Sequence, residues 1–539
     1  MWGRLIVLLA LSYARGDVRL DPLVVTTQGL VKGLRTDEDY SLFLGIPYAR
    51  INEDNPFGVA EPYPYSDAIY EAYEDPPECP QMLGDDPIGN LDCLRLNIYV
   101  PNKASSRNKL PVIVWLHGGS FNIGYNKRNN YGAQYLVKHD VIIVSPNYRL
   151  GVYGFMCLDT PEVPGNQGIK DQLRALRWIR DNIAAFGGDV NKITIMGESA
   201  GSASVEAHIV SKTEKLFNNV ILQSGTLFKP QVISEPDLNL PIKIAEQLGF
   251  KTDNNSEALT FLSRANHKLV IAATSMLSPT LTLCLEKEFE NVENILVEMP
   301  YKTDAPKVNG INVLAGYTSR EGLVMNAKIP NDFLESSNYF RETLGYVFKN
   351  DGGFDQMVNI VHNFYVADAN LSEDDRSNII DFKSDYFYNN PLQMSLRKLL
   401  QNGANSVYQY LFSYVGNLNH IKNKYNISLE GASHGDELGY LFIMSDYRTP
   451  SAEDQMVIDR MATIWTNFAK YGKPVPSETE LLPVTWDPIT DETVPCLNID
   501  SELTIISRPF NRRLAFWELF YTANENRLRD LTINDDIYY

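Results

Sequence analysis

The chain has 539 residues, of which 44% are hydrophobic and 21% are charged, a composition typical of globular proteins. Its formal net charge is −19 and its isoelectric point is about 4.9. Because an acidic surface repels a phosphate backbone, this charge argues against nucleic-acid binding. The sequence has no linker-like tract, repeat or low-complexity segment, so we expect a single folded domain rather than several.

The N-terminus has the pattern of a secretory signal peptide. A basic residue, Arg4, precedes the apolar run 5–11, and small residues follow it. The run is too short to cross a bilayer, and no later run is long enough, so we expect no stable membrane anchor. We predict that residues 1–16 are removed (cleavage after Ala14 fits equally well) and that residues 17–539 form a secreted, extracellular domain.

Other features fit secretion. Cys79 and Cys93 lie close together in a Pro-, Gly- and Asp-rich segment, and in an oxidising compartment we expect them to form a disulfide worth roughly 3 kcal/mol. The other cysteines show no metal-ligand spacing and are expected to be buried thiols; they are Cys157, Cys284 and Cys496. Candidate N-glycosylation sequons begin at Asn254, Asn370 and Asn426.

Short apolar runs alternate with helical patterns along the chain, as in a mostly parallel, doubly wound sheet. Runs that are apolar on both faces indicate strands with helices on each side. Between residues 325 and 400 the pattern is helical and irregular, which predicts insertions packed over the sheet. The predicted strands are 111–116, 141–144, 193–196, 220–222, 311–315 and 407–411, and the predicted helices are 131–138, 171–186, 454–471 and 511–520.

Two pentapeptides match the Gly-X-Ser-X-Gly pattern of a nucleophile elbow, one around Ser199 and one around Ser433. Only Ser199 follows a predicted strand and precedes a run suited to a tightly packed helix. In α/β-hydrolases the catalytic residues occur in the order serine, acid, histidine. Because no histidine follows His434, Ser433 has no base downstream, and Ser199 is the predicted nucleophile.

The same order identifies the partners of Ser199. A serine hydroxyl needs a proton acceptor that works near neutral pH, and His434, in a loop of small residues, is the predicted base. The acid must lie between these two residues. Glu321 follows the predicted strand 311–315, but by spacing alone Asp304 and Asp368 also fit.

The expected oxyanion donors are backbone N–H groups. Gly118 and Gly119 follow the strand 111–116, and their missing side chains let the backbone turn inward. Ala200 follows the nucleophile directly. Together these three residues predict an oxyanion hole.

At this point the sequence resembles the type-B carboxylesterase family, which includes the cholinesterases and the insect carboxylesterases. The resemblance implies an α/β-hydrolase fold with helical insertions over the site. It also favours Glu321, because the family's acid is a Glu followed by Gly. The matching segments span nearly the whole chain: 44–49, 78–81, 92–97, 147–151, 165–168, 171–172, 186–189, 197–201, 223–225 and 434–438.

The resemblance assigns further roles. The family's first disulfide falls on Cys79 and Cys93. Glu198 matches a carboxylate that tunes the site electrostatically, and Ser224 matches a hydroxyl near the catalytic residues. The second small disulfide that is common in relatives has no evident pair in this sequence.

Departures from the family pattern narrow the range of candidate substrates. Cholinesterases carry a Trp in the first disulfide loop, which holds the choline cation by cation–π contact. The loop 80–92 has no aromatic residue, which argues against a cholinesterase. Juvenile-hormone esterases typically have Gln where Glu198 stands, which weakens that assignment.

The sequence therefore predicts a secreted serine esterase that forms an acyl-enzyme on small lipophilic esters, without metal or cofactor. Odorant or pheromone acetates, xenobiotic or dietary esters and juvenile hormone all fit. The alternative is an esterase-like binding or adhesion protein with little turnover, although such relatives have usually lost the serine or the histidine. The sequence does not indicate an oligomeric state.

Overall fold

A computed structural model of the protein describes residues 21–330, 339–366 and 371–529. The predicted signal peptide at 1–16 and the sequon at Asn370 lie outside these ranges. No helix in the described ranges is long and apolar enough to span a membrane.

The strands are short, and those of the central sheet are mostly buried along their length, which is why they read as continuous apolar runs. In chain order they are β1 (Leu23–Thr26), β2 (Gly29–Lys32), β3 (Leu34–Arg35), β4 (Tyr40–Pro47), β5 (Ala49–Arg50), β6 (Glu61–Pro62), β7 (Tyr70–Glu71), β8 (Gln81–Leu83), β9 (Asp86–Ile88), β10 (Arg95–Pro101), β11 (Leu110–Leu116), β12 (Ile142–Pro146), β13 (Gly188–Glu198), β14 (Asn219–Gln223), β15 (Asn312–Thr318), β16 (Ser406–Phe412), β17 (Cys496–Ile499) and β18 (Leu503–Ile506).

The central sheet of the described chain has eleven strands, in the order β18-β17-β16-β15-β14-β13-β11-β12-β10-β4-β3. The strands from β12 across to β17 pair in parallel, and antiparallel strands complete both edges. The predicted mostly parallel sheet is confirmed. Because parallel strands end at the same edge, the loops after β11, β13, β14 and β15 lie together at the carboxyl edge of the sheet.

Side chains of the sheet alternate between two cores, one on each face. Along β11, Val112 and Val114 pack into the core that contains Leu173, whereas Ile113 and Trp115 pack into the opposite core. The helices covering these faces and forming the insertions are Gln134–Val137, Gly151–Phe155, Gln167–Asn182, Ala200–Val210, Leu240–Gln247, Asn255–Arg264, His267–Leu277, Leu323–Asn326, Tyr339–Leu344, Phe354–Val366, Arg376–Ser384, Asn390–Gln401, His420–Tyr425, Ala452–Tyr471 and Asn511–Ala523.

The predicted helix 131–138 is shorter than expected, because only Gln134–Val137 is helical. The backbone of Gly132 pairs instead with Ile443 in an isolated bridge, which holds the preceding residues out of the helix. In the described parts of 325–400 the predicted insertions are mainly helical, and a π-helical turn at Asp385–Asn389 joins two of the helices. These insertion helices share a third apolar core with the helix Asn511–Ala523.

The cysteine predictions are partly confirmed. Cys79 and Cys93 form the expected disulfide. The expectation that three further cysteines are buried thiols is wrong for two of them, because Cys157 and Cys284 form a second disulfide across a separation of 127 residues. Spacing could not reveal this pair, since the fold alone brings its members together. Cys496 is a buried free thiol, as expected.

Candidate active site

Ser199 lies on a strained turn between β13 and the helix Ala200–Val210. Its backbone has φ 55° and ψ −122°, a conformation that a non-glycine residue adopts only when its surroundings enforce it. The turn is tightly packed, because a side chain at Gly201 would collide with the carbonyl oxygen of Leu116. The strand–turn–helix context predicted for Ser199 is therefore present, and it leaves the serine half-buried at the carboxyl edge of the sheet.

The second pentapeptide has a different setting. Ser433 is fully buried, and its backbone N–H donates to Asp436 over 2.6 Å. No strand leads into it, and its hydroxyl has no hydrogen-bond partner in the described chain. The backbone of Ser433, rather than its hydroxyl, helps to shape the loop that carries His434, and the residue does not occupy a nucleophile elbow.

Glu321 and His434 meet in the interior, although 113 residues separate them in the sequence. The imidazole Nδ1 lies 2.6 Å from Oε2 of Glu321, whose side chain is completely buried. The other carboxylate oxygen accepts hydrogen bonds from the Ser224 hydroxyl, at 2.6 Å, and from the backbone N–H of Thr318, at 2.7 Å. Three donors therefore hold the Glu321 carboxylate in one orientation toward the imidazole.

The rival acid Asp304 does not share this environment. Asp304 is exposed to solvent and precedes β15 rather than following it. Asp368 lies outside the described residues. Of the two described carboxylates that spacing allowed, Glu321 is the one that the structure brings to a histidine.

The predicted oxyanion residues lie beside Ser199. A Cβ on Gly118 would be 3.1 Å from the Cβ of Ser199, which shows how closely this loop approaches the serine. Gly119 has φ 114°, and a side chain there would overlap the carbonyl of Ile123. Within the described chain, the backbone N–H groups of Gly118, Gly119 and Ala200 have no hydrogen-bond acceptor, so they are free to bind a substrate oxygen.

His117, at the start of the same loop, is structural. Its ring stacks on Tyr148 with centroids 4.3 Å apart, and the Tyr148 hydroxyl donates to the His117 carbonyl over 2.6 Å. Burial lowers the pKa of His117 to about 4, so the imidazole is neutral at physiological pH. These contacts stabilise the loop, and within the described chain no hydrogen bond joins His117 to Ser199.

A contact that sequence reasoning missed joins this loop to the first disulfide loop. The Gln81 side chain donates to the carbonyl of Gly124 at 2.9 Å and accepts from its N–H at 2.8 Å. Gln81 follows Cys79 by two residues, and its amide also donates to the Cys79 carbonyl. The family motif around Cys79 includes Gln81, but nothing in the sequence indicated that Gln81 contacts Gly124.

Several carboxyl groups surround the imidazole of His434. Its Nε2 lies 3.2 Å from Oε1 of Glu198, and it forms no hydrogen bond with the Ser199 hydroxyl in the described structure. Burial raises the pKa of Glu198 to about 7 and, together with Glu198, that of Glu437 to about 8. Burial opposes protonation of His434, but Glu198 and Glu321 outweigh it and raise the His434 pKa to about 9.

These titrations are coupled, because each of the groups changes the field at the others. A proton on Glu198 removes the strongest attraction on the His434 imidazolium and so favours the neutral base. A buried hydrogen-bond chain supports the cluster from behind: Gln223 donates to Glu437 over 3.2 Å and accepts from the indole of Trp465 over 3.1 Å. The site therefore holds one histidine whose protonation depends on neighbouring carboxyl groups.

Two described sequons are accessible. Asn254 is exposed and caps the helix Asn255–Arg264, and Asn426 is exposed at the end of the helix His420–Tyr425. Neither side chain is buried, so a glycan at either residue would extend into solvent.

Comparisons with known proteins identify the family of the chain. The model described as "Carboxylesterase family" matches residues 20–517. Esterase FE4 of Myzus persicae is 32% identical over 474 residues, which cover 83% of this chain and 83% of that protein. Pyrethroid hydrolase Ces2a of Mus musculus is 30% identical, with 95% of this chain and 93% of that protein covered.

A solved structure is similar over nearly the whole chain. It is juvenile hormone esterase from Manduca sexta with OTFP covalently attached, which superposes with a TM-score of 0.81 and 25% sequence identity. The match covers 93% of this chain and all of that one. The sheet, the matched family model and these relatives lead to one conclusion: the chain belongs to the carboxylesterase family and is a carboxylic ester hydrolase with the α/β-hydrolase fold.

Proposed function

We propose that Ser199, His434 and Glu321 are the catalytic triad of this esterase. The observation that carries the proposal is the 2.6 Å contact between His434 and the buried Glu321, beside the strained Ser199 turn. A buried carboxylate that accepts a hydrogen bond from Nδ1–H fixes the tautomer, so that Nε2 is free to take a proton from the serine. The order serine, acid, histidine along the chain is that of α/β-hydrolases.

In the first half of the reaction, the Ser199 oxygen attacks the ester carbonyl carbon while His434 Nε2 takes the hydroxyl proton. The tetrahedral oxyanion accepts hydrogen bonds from the N–H groups of Gly118, Gly119 and Ala200. Collapse of the tetrahedral intermediate breaks the bond between the carbonyl carbon and the alkoxy oxygen. The alkoxy group takes the proton from His434 and leaves as the alcohol. Loss of one oxyanion donor typically lowers the rate by about 10²- to 10³-fold.

In the second half, water replaces the alcohol. His434 takes a proton from the water as its oxygen attacks the acyl-enzyme carbonyl, and it returns that proton to the Ser199 oxygen as the acid leaves. The Ser199 hydroxyl must move into hydrogen-bond range of Nε2 in the substrate complex, since catalytic hydrogen bonds are often longer in free enzymes. No metal or cofactor takes part in these steps.

Small lipophilic esters are the proposed substrates. The insertions over the sheet are rich in aromatic residues, and Tyr388 packs against His434 with ring centroids 4.7 Å apart. The named relatives are esterases, a pyrethroid hydrolase, bile salt-activated lipases and a juvenile hormone esterase. Odorant or pheromone acetates, xenobiotic or dietary esters and juvenile hormone all belong to this class.

We also propose that the enzyme is secreted and that residues 17–539 act as a single domain. The signal-peptide pattern at 1–16, the two disulfides and the exposed sequons at Asn254 and Asn426 support an extracellular protein. Expression with the native N-terminus followed by N-terminal sequencing of the secreted product tests this: a mature chain that begins at residue 15 or 17 supports secretion, and retention of residues 1–16 contradicts it.

Turnover of para-nitrophenyl acetate by Ser199→Ala tests the catalytic assignment, with Ser433→Ala as the matched control. Removing a triad nucleophile costs about 10⁴-fold or more in kcat. We expect a loss of that size for Ser199→Ala and near-normal turnover for Ser433→Ala. Wild-type turnover by folded Ser199→Ala would contradict the proposal, and no turnover by the wild-type protein would favour the binding or adhesion alternative.

A further inference from the structure

A lysine near the catalytic histidine has no anionic partner. Lys229 lies on the loop that follows β14, and the start of this loop passes directly beside the nucleophile, since a side chain at Gly225 would overlap the Ser199 carbonyl. The Lys229 ammonium lies 5.4 Å from the ring centroids of both Phe387 and Tyr388. The Tyr388 ring in turn contacts His434. One aromatic ring therefore separates this cation from the catalytic imidazole.

The carboxylates in this region are already engaged. Glu321 accepts hydrogen bonds from three other groups. Glu235 lies 3.8 Å from the guanidinium of Arg529. Within the described chain, the Lys229 ammonium forms no hydrogen bond and no salt bridge, and its contacts are the two aromatic faces. A cation held only by ring faces can bind an additional anion without breaking an existing pair.

A second cation strengthens the positive potential at this point. The Lys383 ammonium lies 4.9 Å from the centroid of Phe387, so this ring contacts both lysines. Lys383 donates a hydrogen bond to Thr343 over 2.8 Å and is attracted by Glu342. Burial lowers the pKa of Lys229 to about 8 against the attraction of Glu321, so the amine is mostly protonated at neutral pH.

Lys229 also borders an open space. A cavity of about 290 Å³ lies along its loop, lined among others by Leu227, Phe228, Tyr346 and Met394. Its walls are mainly apolar, and its charged lining residues are Lys229 and the pair Glu235 and Arg529, which lie 3.8 Å apart. The net charge of −19 repels anionic solutes from the protein as a whole. A local cation in an apolar cavity would offset this repulsion for one anionic group that reaches it.

We propose that Lys229 forms an anion subsite, which recognises a carboxylate that the ester substrate carries away from its scissile bond. This inference rests on the proposed function and narrows its substrate class to lipophilic esters with one anionic group. The apolar wall binds the body of the substrate, and the ammonium binds its carboxylate.

Two substrate pairs test the subsite, because the carboxylate can sit on either side of the ester. The acyl-side pair is mono-para-nitrophenyl suberate and para-nitrophenyl nonanoate, and the alcohol-side pair is para-acetoxybenzoate and para-tolyl acetate. For each substrate, kcat/KM is measured for wild type, Lys229→Met and Lys229→Arg. Lys192→Met is the matched control, since Lys192 is exposed in the N-terminal half of the strand that leads to Ser199.

In at least one pair, we expect Lys229→Met to lower kcat/KM for the anionic ester by about tenfold or more. The neutral ester should change by less than about twofold, and Lys229→Arg should retain the preference because it keeps the charge. Lys192→Met should change neither ester. Thermal unfolding of each variant shows that the comparison is made on folded protein.

Three results would overturn parts of the account. Equal losses on anionic and neutral esters in both pairs would make Lys229 structural, and unchanged kinetics on all four esters would remove it from recognition; either result overturns the subsite and leaves the triad standing. If the wild-type enzyme hydrolyses none of the neutral esters, the proposed function fails, and the subsite fails with it.

Discussion

The side-chain amide of Gln81 forms two hydrogen bonds with the backbone of Gly124, one in each direction. Gln81 is tied to the Cys79–Cys93 disulfide loop, whereas Gly124 packs against Gly118 in the loop that follows β11. The disulfide loop therefore supports the oxyanion loop. We therefore expect the first disulfide to stabilise the proposed active site in addition to the fold.

Replacing Gln81 with Ala should lower kcat more than it raises KM. Both hydrogen bonds to Gly124 would be lost, which would let the loop with the oxyanion donors shift. A shift of a fraction of an ångström weakens the hydrogen bonds from these donors to the oxyanion of the transition state. We expect kcat for an acetate ester to fall by about tenfold to a hundredfold. Gln455→Ala, an exposed glutamine on the helix Ala452–Tyr471, is the control. An unchanged kcat would show that the oxyanion loop holds its shape without Gln81.

Replacing Glu198 with Gln should move the acidic limb of the kcat/KM profile to lower pH. His434 acts as a base only when it is neutral. Among the neighbouring groups, the Glu198 carboxylate makes the largest contribution to raising the His434 pKa. Without that charge, the imidazole loses its proton at lower pH, so activity should appear earlier as the pH rises. Glu288→Gln, at an exposed position, should leave the profile unchanged. A shift to higher pH would contradict this assignment of charges.

Replacing Ser224 with Ala should slow the chemical step. Its hydroxyl donates to the Glu321 carboxylate over 2.6 Å, so its loss leaves one oxygen of a fully buried group with a single donor. A hydrogen bond to a charged group is worth about 1.5–3 kcal/mol, and a tenfold fall in kcat would reflect part of this. Ser263→Ala on a surface helix is the control. Normal kcat with a lowered unfolding temperature would make Ser224 structural only.

Removing the second disulfide should destabilise the protein strongly. The Cys157–Cys284 bond closes a loop of 127 residues, for which loop entropy predicts a contribution of about 4–5 kcal/mol. In urea unfolding, the double variant Cys157→Ser with Cys284→Ser should therefore have a clearly lower midpoint urea concentration than the wild-type protein. Cys496→Ser is the comparison, because it alters a thiol that is not in a disulfide. Equal midpoints for the double variant and the wild-type protein would contradict this contribution.

The sequence predicted the features that depend on local pattern and chain order. Strands such as β11 and β15 could be predicted because they are buried on both faces, so that nearly all of their residues are apolar. His434 could be chosen because it is the last histidine, and this also removed Ser433 as a nucleophile. Glu321 needed the family resemblance, since spacing alone did not separate it from Asp304 or Asp368.

The features that were missed depend on contacts between distant segments. The partners Cys157 and Cys284 lie on separate loops that meet only after the sheet has formed. The ring contacts of Lys229 require the insertion that carries Phe387 and Tyr388 to fold back over the carboxyl edge of the sheet. Neither relationship leaves a periodic or spacing signal in the sequence, so only the tertiary structure reveals it.

The most direct test of the central claim is covalent labelling with a fluorophosphonate probe, followed by peptide mass spectrometry. Such a probe reacts with a serine that a neighbouring base activates. We predict a single label on Ser199 in the wild-type protein, retained in Ser433→Ala and lost in Ser199→Ala and His434→Ala. A label that persists in Ser199→Ala, or a folded wild-type protein that takes no label, would contradict it.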